Sequence, residues 1–509
     1  MSATRTGRTQ AMADPAAPPE PIPASAGAGD GARRVAVNAA VVAGAEVAGK
    51  IATLAFTIAA ARSLGQEGFG AFSYAVSFAL LVATLPSGGF GAILVQRGSA
   101  DPKRLPQLFS ELLAWRTAIA IPVFGAAAVA GIALRPDGSS ALAFLLVLAA
   151  TFVDLYGDAG RSVANALQRQ SGVSVALVAQ RFLTAALAIG ALVGGLGLVG
   201  LASTYLAGSV MGVVLVFWSV RRMGVRPDRR AIRRDSFRSM GRASVALGID
   251  TVLSLALFRV DQVILGAIKG NAAVGVYAAT YKLLETVLFV SWAVGRAVYP
   301  ALSAHPEPER VRRGVEQGIA AIAVLYVPFG VGLFVDARQV LDLLFGSAYA
   351  GGADIARWLA ASPMLFAIGF LFSYGLVSRE RRWRAAAGTI AAAALNVGLN
   401  LALIPHFGPV GAAAATTVAY AFEAVVLVAA AIPVFGVPRV DRALLVPVAA
   451  SAVMVAALLA TPSGVAVQVP VGVVVYVAAW YPLARWLVPE QLAVLRSMIP
   501  GRNARTGAR

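Results

Sequence analysis

The 509-residue chain contains no cysteine and only two histidines, His305 and His406. The first absence excludes disulfides, thiolate metal sites and cysteine nucleophiles. The second argues against a histidine-based metal site. Charge is also scarce. Asp, Glu, Lys and Arg make up 13% of the residues, about half of the roughly 25% usual for soluble domains. No phosphate loop, HExxH pair or other catalytic constellation is present, so no enzymatic activity is expected. Apolar residues are abundant instead, at 58%, with a mean hydropathy of +0.75. Long apolar blocks recur from about residue 35 to the end. Backbone that crosses a bilayer must satisfy its own hydrogen bonds, so these blocks predict an all-α polytopic membrane protein.

Residues 1–34 are rich in Pro, Ala and Gly, lack periodicity, and read as a disordered cytoplasmic tail. The apolar run that follows is too long for a signal-peptide core and reads as a retained span. The spans fall at 35–60, 71–95, 109–134, 141–165, 173–194, 197–219, 242–267, 275–301, 316–336, 354–377, 386–404, 409–434, 442–461 and 466–487, fourteen in all. An even number puts both termini on one side. Of 43 Lys and Arg, 32 fall in the tails, the connectors and the adjoining span ends on that side, and four in the opposite connectors. The positive-inside rule makes that side cytoplasmic. This placement explains the net charge of +18 without a nucleic-acid partner. The densest basic connector, RRMGVRPDRRAIRRDSFRSMGR (221–242), reads as a topology determinant that binds anionic membrane lipids.

The chain repeats itself. LGQEGFGAFSYAVSFALL (64–81) resembles IKGNAAVGVYAATYKLLE (268–285), with Gly70 on Gly275 at an offset of 205. GLGLVGLASTYLAG (195–208) resembles HFGPVGAAAATTVAY (406–420), with Gly200 on Gly411 at an offset of 211. Two matches at nearly one offset imply that spans 1–6 and 7–12 are parallel copies, a plan that places a substrate between the halves. The expected organisation is a tail (1–34), an N-lobe (35–220), a basic linker (221–241), a C-lobe (242–435), a C-terminal span pair (436–490) and a cytoplasmic tail (491–509). LPSGGFGA (85–92), Pro328 and Pro363 mark places where spans break or bend.

Charged residues at membrane depth are costly and face a partner, a cavity or the interface. Arg116, Arg296 and Arg357 lie near span ends, where long side chains snorkel. Glu46 and Lys50 share a helical face and are spaced to pair. Asp154 and Asp158 share a face of the fourth span, with Arg161 beyond and Arg181 of the fifth span at similar depth, available to either aspartate. Glu423 has no partner nearby in sequence. In FRVDQVILG (258–266), Arg259 and Asp261 are two residues apart and point to different sides of a helix. Depth predicts two rungs, Asp261–Lys282 and Arg259–Glu285. These form either a structural ladder or an anion-attracting cavity lining.

The same residues carry a family likeness. FRVDQVILGAIKGNAAVGVYAATYKLLE resembles the seventh–eighth span hairpin of the polysaccharide-biosynthesis (Wzx-like) flippases, and LGQEGFGAFSYA their first–second hairpin. LFGSAYAGGADIARWLA (344–360) and NVGLNLALIPHFGPVGAAAATTVAY (396–420) resemble their approach to the tenth span and their eleventh–twelfth hairpin. The resemblance covers residues 35 to 435. It implies the multidrug/oligosaccharidyl-lipid/polysaccharide exporter superfamily, with two six-helix lobes in a V around a central cavity and two further C-terminal helices. It implies a bacterial cytoplasmic-membrane flippase for polyprenyl-pyrophosphate-linked oligosaccharide, working by alternating access, serving exopolysaccharide, capsule or O-antigen synthesis. It implies no cofactor, but coupling to a proton or sodium gradient, and is compatible with other polysaccharide-assembly membrane proteins as partners. By position it places Glu46, Lys50, Ser73, Tyr74, Ser77, Arg259, Asp261, Lys282 and Glu285 in or near the cavity. Asp154, Asp158, Arg181 and Glu423 are secondary intramembrane charges.

Three rival readings stand beside it. A lipid-II-type peptidoglycan precursor flippase shares the plan. A drug or cation antiporter of the superfamily would favour acidic residues over Arg259 and Lys282. A membrane polysaccharide polymerase or ligase would need a large outer loop carrying Arg or His, and the outer connectors here are short.

Overall fold

The computed structural model describes residues 28–134, 138–228, 230, 232–244, 258–304, 307–437, 439, 441–461 and 464–489. Most of both expected tails, residues 245–257 of the predicted seventh span, and the Glu46 side chain lie outside the described residues. No strand occurs among the described residues. The labelled helices are α1 (Ala28–Ser87), α2 (Phe90–Ala100), α3 (Leu105–Leu134), α4 (Gly138–Ala166), α5 (Ser171–Val193) and α6 (Gly197–Arg222). After the linker come α7 (Val260–Ala304), α8 (Pro308–Phe345), α9 (Ala353–Leu359), α10 (Ser362–Ser378), α11 (Arg382–Phe435), α12 (Asp441–Ala460) and α13 (Val465–Leu487).

Among the described residues, ten helices are long and apolar enough to cross a membrane, not fourteen separate ones. One of the missing four is the predicted thirteenth span, whose apolar helix, Leu444–Ala460 within α12, is shorter; the other three are merged in α1, α7 and α11. Each contains one glycine at positive φ that joins two predicted spans: Gly65, Gly270 and Gly408. At Gly65 (φ 65°, ψ −174°) and Gly270 (φ 80°, ψ −178°) the backbone occupies a region closed to side-chain-bearing residues. The chain turns back there. A Cβ on Gly266 would lie 3.2 Å from Val274, eight residues on, a distance no straight helix permits.

Other expectations shift by small amounts. Helix α1 begins at Ala28, inside the segment expected to be tail, because a helix already nucleated in the apolar run propagates into its flank at little cost. The predicted break in LPSGGFGA occurs: α1 ends at Ser87, and Gly89 (φ 71°) precedes α2. The expected break at Pro363 also occurs: the helix is interrupted at Ala360 and Ala361, and Pro363 sits in the first turn of α10, where its missing N–H has no partner to lose. The predicted tenth span is therefore split between α9 and α10.

The cores show why the molecule is V-shaped. Near the hairpin turns one apolar core runs through both lobes, joining Ala60, Phe69 and Tyr74 to Leu265, Tyr277 and Tyr349. Toward the linker it divides. Leu105, Phe109 and Val220 centre a core in the first lobe, and Val311, Leu371 and Phe435 centre another in the second. The lobes thus touch at the hairpin end and part at the linker end. The linker packs on the first lobe: Trp115 stacks on Phe237 with centroids 4.4 Å apart, and Nε1 donates to the Phe237 carbonyl at 2.9 Å. Ser236 donates to the buried Glu111 at 2.9 Å. Helices α12 and α13 lean on α8 of the second lobe, where the Tyr476 hydroxyl donates to the Val324 carbonyl at 2.7 Å.

At the hairpin end the lobes meet backbone to backbone. A Cβ on Gly70 would lie 1.8 Å from the Asn271 carbonyl oxygen, and one on Gly275 would lie 2.1 Å from that of Gln66. Residues 66 and 271, and 70 and 275, are each 205 apart, so the contact is reciprocal. Around it, Tyr349 donates to the Ala61 carbonyl at 3.1 Å, Arg62 to those of Leu343 and Leu344, and Gln66 to that of Ala348.

Candidate functional site: a charged cavity between the lobes

Between the diverging lobes lie two connected chambers of about 360 and 500 Å³. They share Lys50, Leu80, Asp154, Arg161, Arg259 and Glu285 in their walls. The larger reaches toward the hairpin end, where Ser73, Ser77, Tyr205 and Gln262 line it. Helix α1 supplies Lys50, Ser73 and Ser77, α4 supplies Asp154, Asp158 and Arg161, α5 supplies Arg181, and α7 supplies Lys282 and Glu285. Arg259 stands in the turn before α7.

Each lobe contributes one carboxylate held between two cations. In the second lobe Glu285 receives Arg259 Nη2 at 2.7 Å on one oxygen and Lys282 Nζ at 2.8 Å on the other. In the first, Asp158 receives Arg116 Nη2 at 2.7 Å and Arg161 Nη2 at 3.0 Å. Asp154 accepts from Ser209 at 3.0 Å. Among the described residues, the lining therefore holds five cations (Lys50, Arg161, Arg181, Arg259 and Lys282) against three carboxylates (Asp154, Asp158 and Glu285). Aromatic rings stand beside the charges: Tyr205 meets Phe72 edge-on at 5.6 Å, and Phe56 lies 5.7 Å from Phe72.

Of the two predicted rungs, Arg259–Glu285 forms and Asp261–Lys282 does not. Lys282 turns to Glu285, three residues along its own helix face. Asp261 points away from the cavity into the second lobe, fully buried, where Tyr277 and Thr416 donate to it, as does the Gln262 N–H at 2.7 Å. The two-residue step that separates Arg259 from Asp261 sends one to the cavity and the other to the core.

Tyr74 also leaves the cavity. It stacks on Phe78 at 6.1 Å and fills the notch at Gly266, where a Cβ would come within 2.1 Å of its ring. Ser73 and Ser77 line the larger chamber, and Ser77 donates across the lobes to Gln262 at 2.6 Å. Of the secondary charges, Asp154, Asp158 and Arg181 line the cavity. Arg181 pairs with neither aspartate. Glu423 lies apart, accepting from Thr389 at 2.8 Å within α11 and lying beside Gly369 of α10.

The snorkelling expectation fails for Arg116. It is 1% exposed and held by Asp158 and the Leu155 carbonyl inside the first lobe. Distance from a span end does not distinguish an arginine that reaches water from one that turns inward. The available signal was Asp158, a carboxylate at similar depth on the next span. Arg296 is exposed, and Arg357 is half-exposed in an ion pair with Asp354 at 2.8 Å. Tyr205, Gln180 and Gln262 line the cavity with no signal in the sequence, because isolated neutral polar residues are common in packed membrane helices.

Two lobes meeting at one end, with a charged cavity between them and two extra helices on the second lobe, define the class: a two-lobed membrane protein of the exporter-superfamily architecture. Among solved structures the fold is similar to "Lipid II flippase MurJ, inward closed conformation", with a TM-score of 0.75 at 12% identity, covering 88% of this chain and 99% of that one. It is also similar to an inward-facing multidrug resistance MATE family transporter, with a TM-score of 0.58 at 16% identity, covering 75% of this chain and 93% of that one. A transporter from Pyrococcus furiosus, described as having a binding pocket of reversed polarity, aligns with a TM-score of 0.55 at 17% identity over 78% and 94% of the two chains.

Residues 35–305 match the polysaccharide biosynthesis protein family, and residues 171–479 match the lipid II flippase MurJ family. The chain belongs to the polysaccharide biosynthesis protein family, within the superfamily that includes the lipid II flippases. A probable low-salt glycan biosynthesis flippase of Haloferax volcanii is 25% identical over 156 residues, 30% of this chain and 33% of its own length. A probable flippase of the same organism, AglR, is 23% identical over 170 residues, 32% and 36% of the two. The matches thus span about a third of each curated relative. These relatives and neighbours are flippases and transporters, not enzymes.

Proposed function

We propose that the protein is a flippase that moves a polyprenyl-diphosphate-linked glycan from the inner to the outer leaflet of the cytoplasmic membrane by alternating access. The observation that carries this is the lining of the cavity, where, among the described residues, five cations face three carboxylates between two lobes that close at one end. A diphosphate crossing a low-dielectric region needs compensating positive charge, and guanidinium groups bind phosphate oxygens in a fixed fork. The hydroxyl and aromatic groups of the larger chamber suit sugar. The arginine distribution orients the hairpin end outward, so the cavity opens toward the cytoplasm, where the cargo is made. A proton or sodium gradient supplies the driving force. The exposed arginines of the linker, among them Arg226, Arg233 and Arg238, face anionic lipid at the inner leaflet.

A second reading has its own support. The match of residues 171–479 to the lipid II flippase family favours a peptidoglycan precursor as cargo. That cargo carries the same diphosphate. The excess of cavity cations disfavours a cation or drug antiporter.

The test is reconstitution into vesicles with a fluorescent polyprenyl-diphosphate glycan, and lipid II in parallel. The wild-type protein is expected to move one of them. Arg259→Gln or Lys282→Gln should slow movement roughly tenfold, equivalent to about 1.4 kcal/mol of lost stabilisation. Unchanged rates in both variants, with intact protein, would show that these charges form a structural ladder only.

A further inference from the structure

Every described carboxylate of the lining already accepts a hydrogen bond or an ion pair. Asp158 is shared by Arg116 and Arg161, Glu285 by Arg259 and Lys282, and Asp154 accepts from Ser209. Arg181 makes no ion pair among the described residues, yet it lines the larger chamber. Its position is built. A Cβ on Gly49 would lie 2.4 Å from Arg181 Nη1 and 2.9 Å from its Cδ, so a side chain there would displace the guanidinium from the place where it crosses α1. One residue earlier on α5, the Gln180 amide occupies a matching notch at Gly212 of α6, where a Cβ would come within 2.1 Å of Oε1. Helix α5 is thus wedged between two glycine notches, and the wedge aims Arg181 at the cavity.

A guanidinium at membrane depth without a counter-charge is unfavourable, and cannot relieve that by losing its proton. Such a group is explained if an anion arrives during the working cycle. We propose that Arg181 is the cargo-binding cation of the first lobe. It takes a phosphate oxygen of the lipid-linked glycan while Arg259 and Lys282 of the second lobe take the other side, so that the diphosphate bridges the lobes. Gly49 is the positioning residue that admits it. This inference rests on the flippase reading above.

The experiment measures binding of a fluorescent polyprenyl-diphosphate glycan to the purified full-length protein, its competition by inorganic pyrophosphate, and its movement in vesicles. Arg181→Gln is expected to weaken binding and slow movement about tenfold, with a matching loss of pyrophosphate competition. Gly49→Ala, which keeps every charge, should reproduce most of that loss. Arg181→Cys, in a chain with no other cysteine, should be restored by a thiol reagent that adds an ammonium group and not by a neutral reagent of the same size. Wild-type affinity in Arg181→Gln, or equal rescue by both reagents, would overturn the role of Arg181 and leave the flippase reading standing. A wild-type protein that neither binds nor moves the diphosphate lipid would overturn both. An unfolded Arg181→Gln protein leaves the Gly49→Ala and cysteine results to decide.

Discussion

The two lobes share a backbone but not a charge pattern. Gly65 and Gly270, 205 residues apart, adopt nearly the same torsions, and Gly197 (φ 58°) and Gly408 (φ 55°), 211 apart, share nearly the same positive φ. Gly70 and Gly275 each lie against a carbonyl of the other lobe. The ion clusters show no such equivalence. Asp158 lies on α4, and the residue 205 further on is Pro363; Glu285 lies on α7, and the residue 205 before it is Leu80. Duplication supplied two matching frames. Each frame then acquired a carboxylate between two cations at its own position. Where a helix reverses is a property of the copied frame, and where a charge faces the cavity belongs to one lobe alone.

One cation differs from the rest in solvent access, and this sets the order of expected effects. Arg116 is 1% exposed, whereas Arg259 and Lys282 are 23% and 25% exposed beside an open cavity. Asp158→Ala therefore leaves a buried guanidinium without its carboxylate, and should destabilise the protein by about 3–5 kcal/mol. Glu285→Gln leaves two cations that water can reach, at about 1–2 kcal/mol. Thermal unfolding in detergent tests the contrast, with Arg116→Met/Asp158→Ala expected to recover most of the first loss. Equal losses in the two single variants would erase the distinction between the lobes.

The shared frame predicts the opposite pattern at the hairpin seam, where Gly70→Ala and Gly275→Ala should act alike. Each drives a Cβ into a carbonyl, a strain of about 1–3 kcal/mol that shifts the lobes apart. A cysteine placed at Ser73, in the larger chamber, should then react roughly tenfold faster with an impermeant reagent from the hairpin side in both variants. A response in only one would mean the reciprocal contact is not a working symmetry. The smallest effect belongs to Ser77→Ala. It removes one hydrogen bond between the lobes, worth about 1 kcal/mol, and should raise the same labelling rate only a few-fold.

Much of this architecture was legible in the sequence because it rests on apolar blocks and glycines. The hairpin of 258–285 and the break at LPSGGFGA follow from local rules, and the equivalence of Gly70 and Gly275 follows from the repeat. The side-chain destinations were less accessible. Two residues' separation places Arg259 and Asp261 on different sides of a helix but does not say which side is cavity. Tyr74 looks like a cavity aromatic until the notch at Gly266 receives it. Arg116 shows the same limit, since depth along a span does not reveal its neighbours. Arg181 was legible as a charge, and its route past Gly49 depends on how α1 and α5 pack.

The bonds around the Gly70–Gly275 contact are lopsided in kind. Most of the acceptors are main-chain carbonyls, those of Ala61, Leu343, Leu344 and Ala348. No point mutation deletes a carbonyl. The grip of the seam therefore varies through its donors, Arg62, Gln66 and Tyr349, while the surface they hold stays constant. A lineage can loosen or tighten the closed state one donor at a time, adapting to a bulkier glycan without redesigning either lobe.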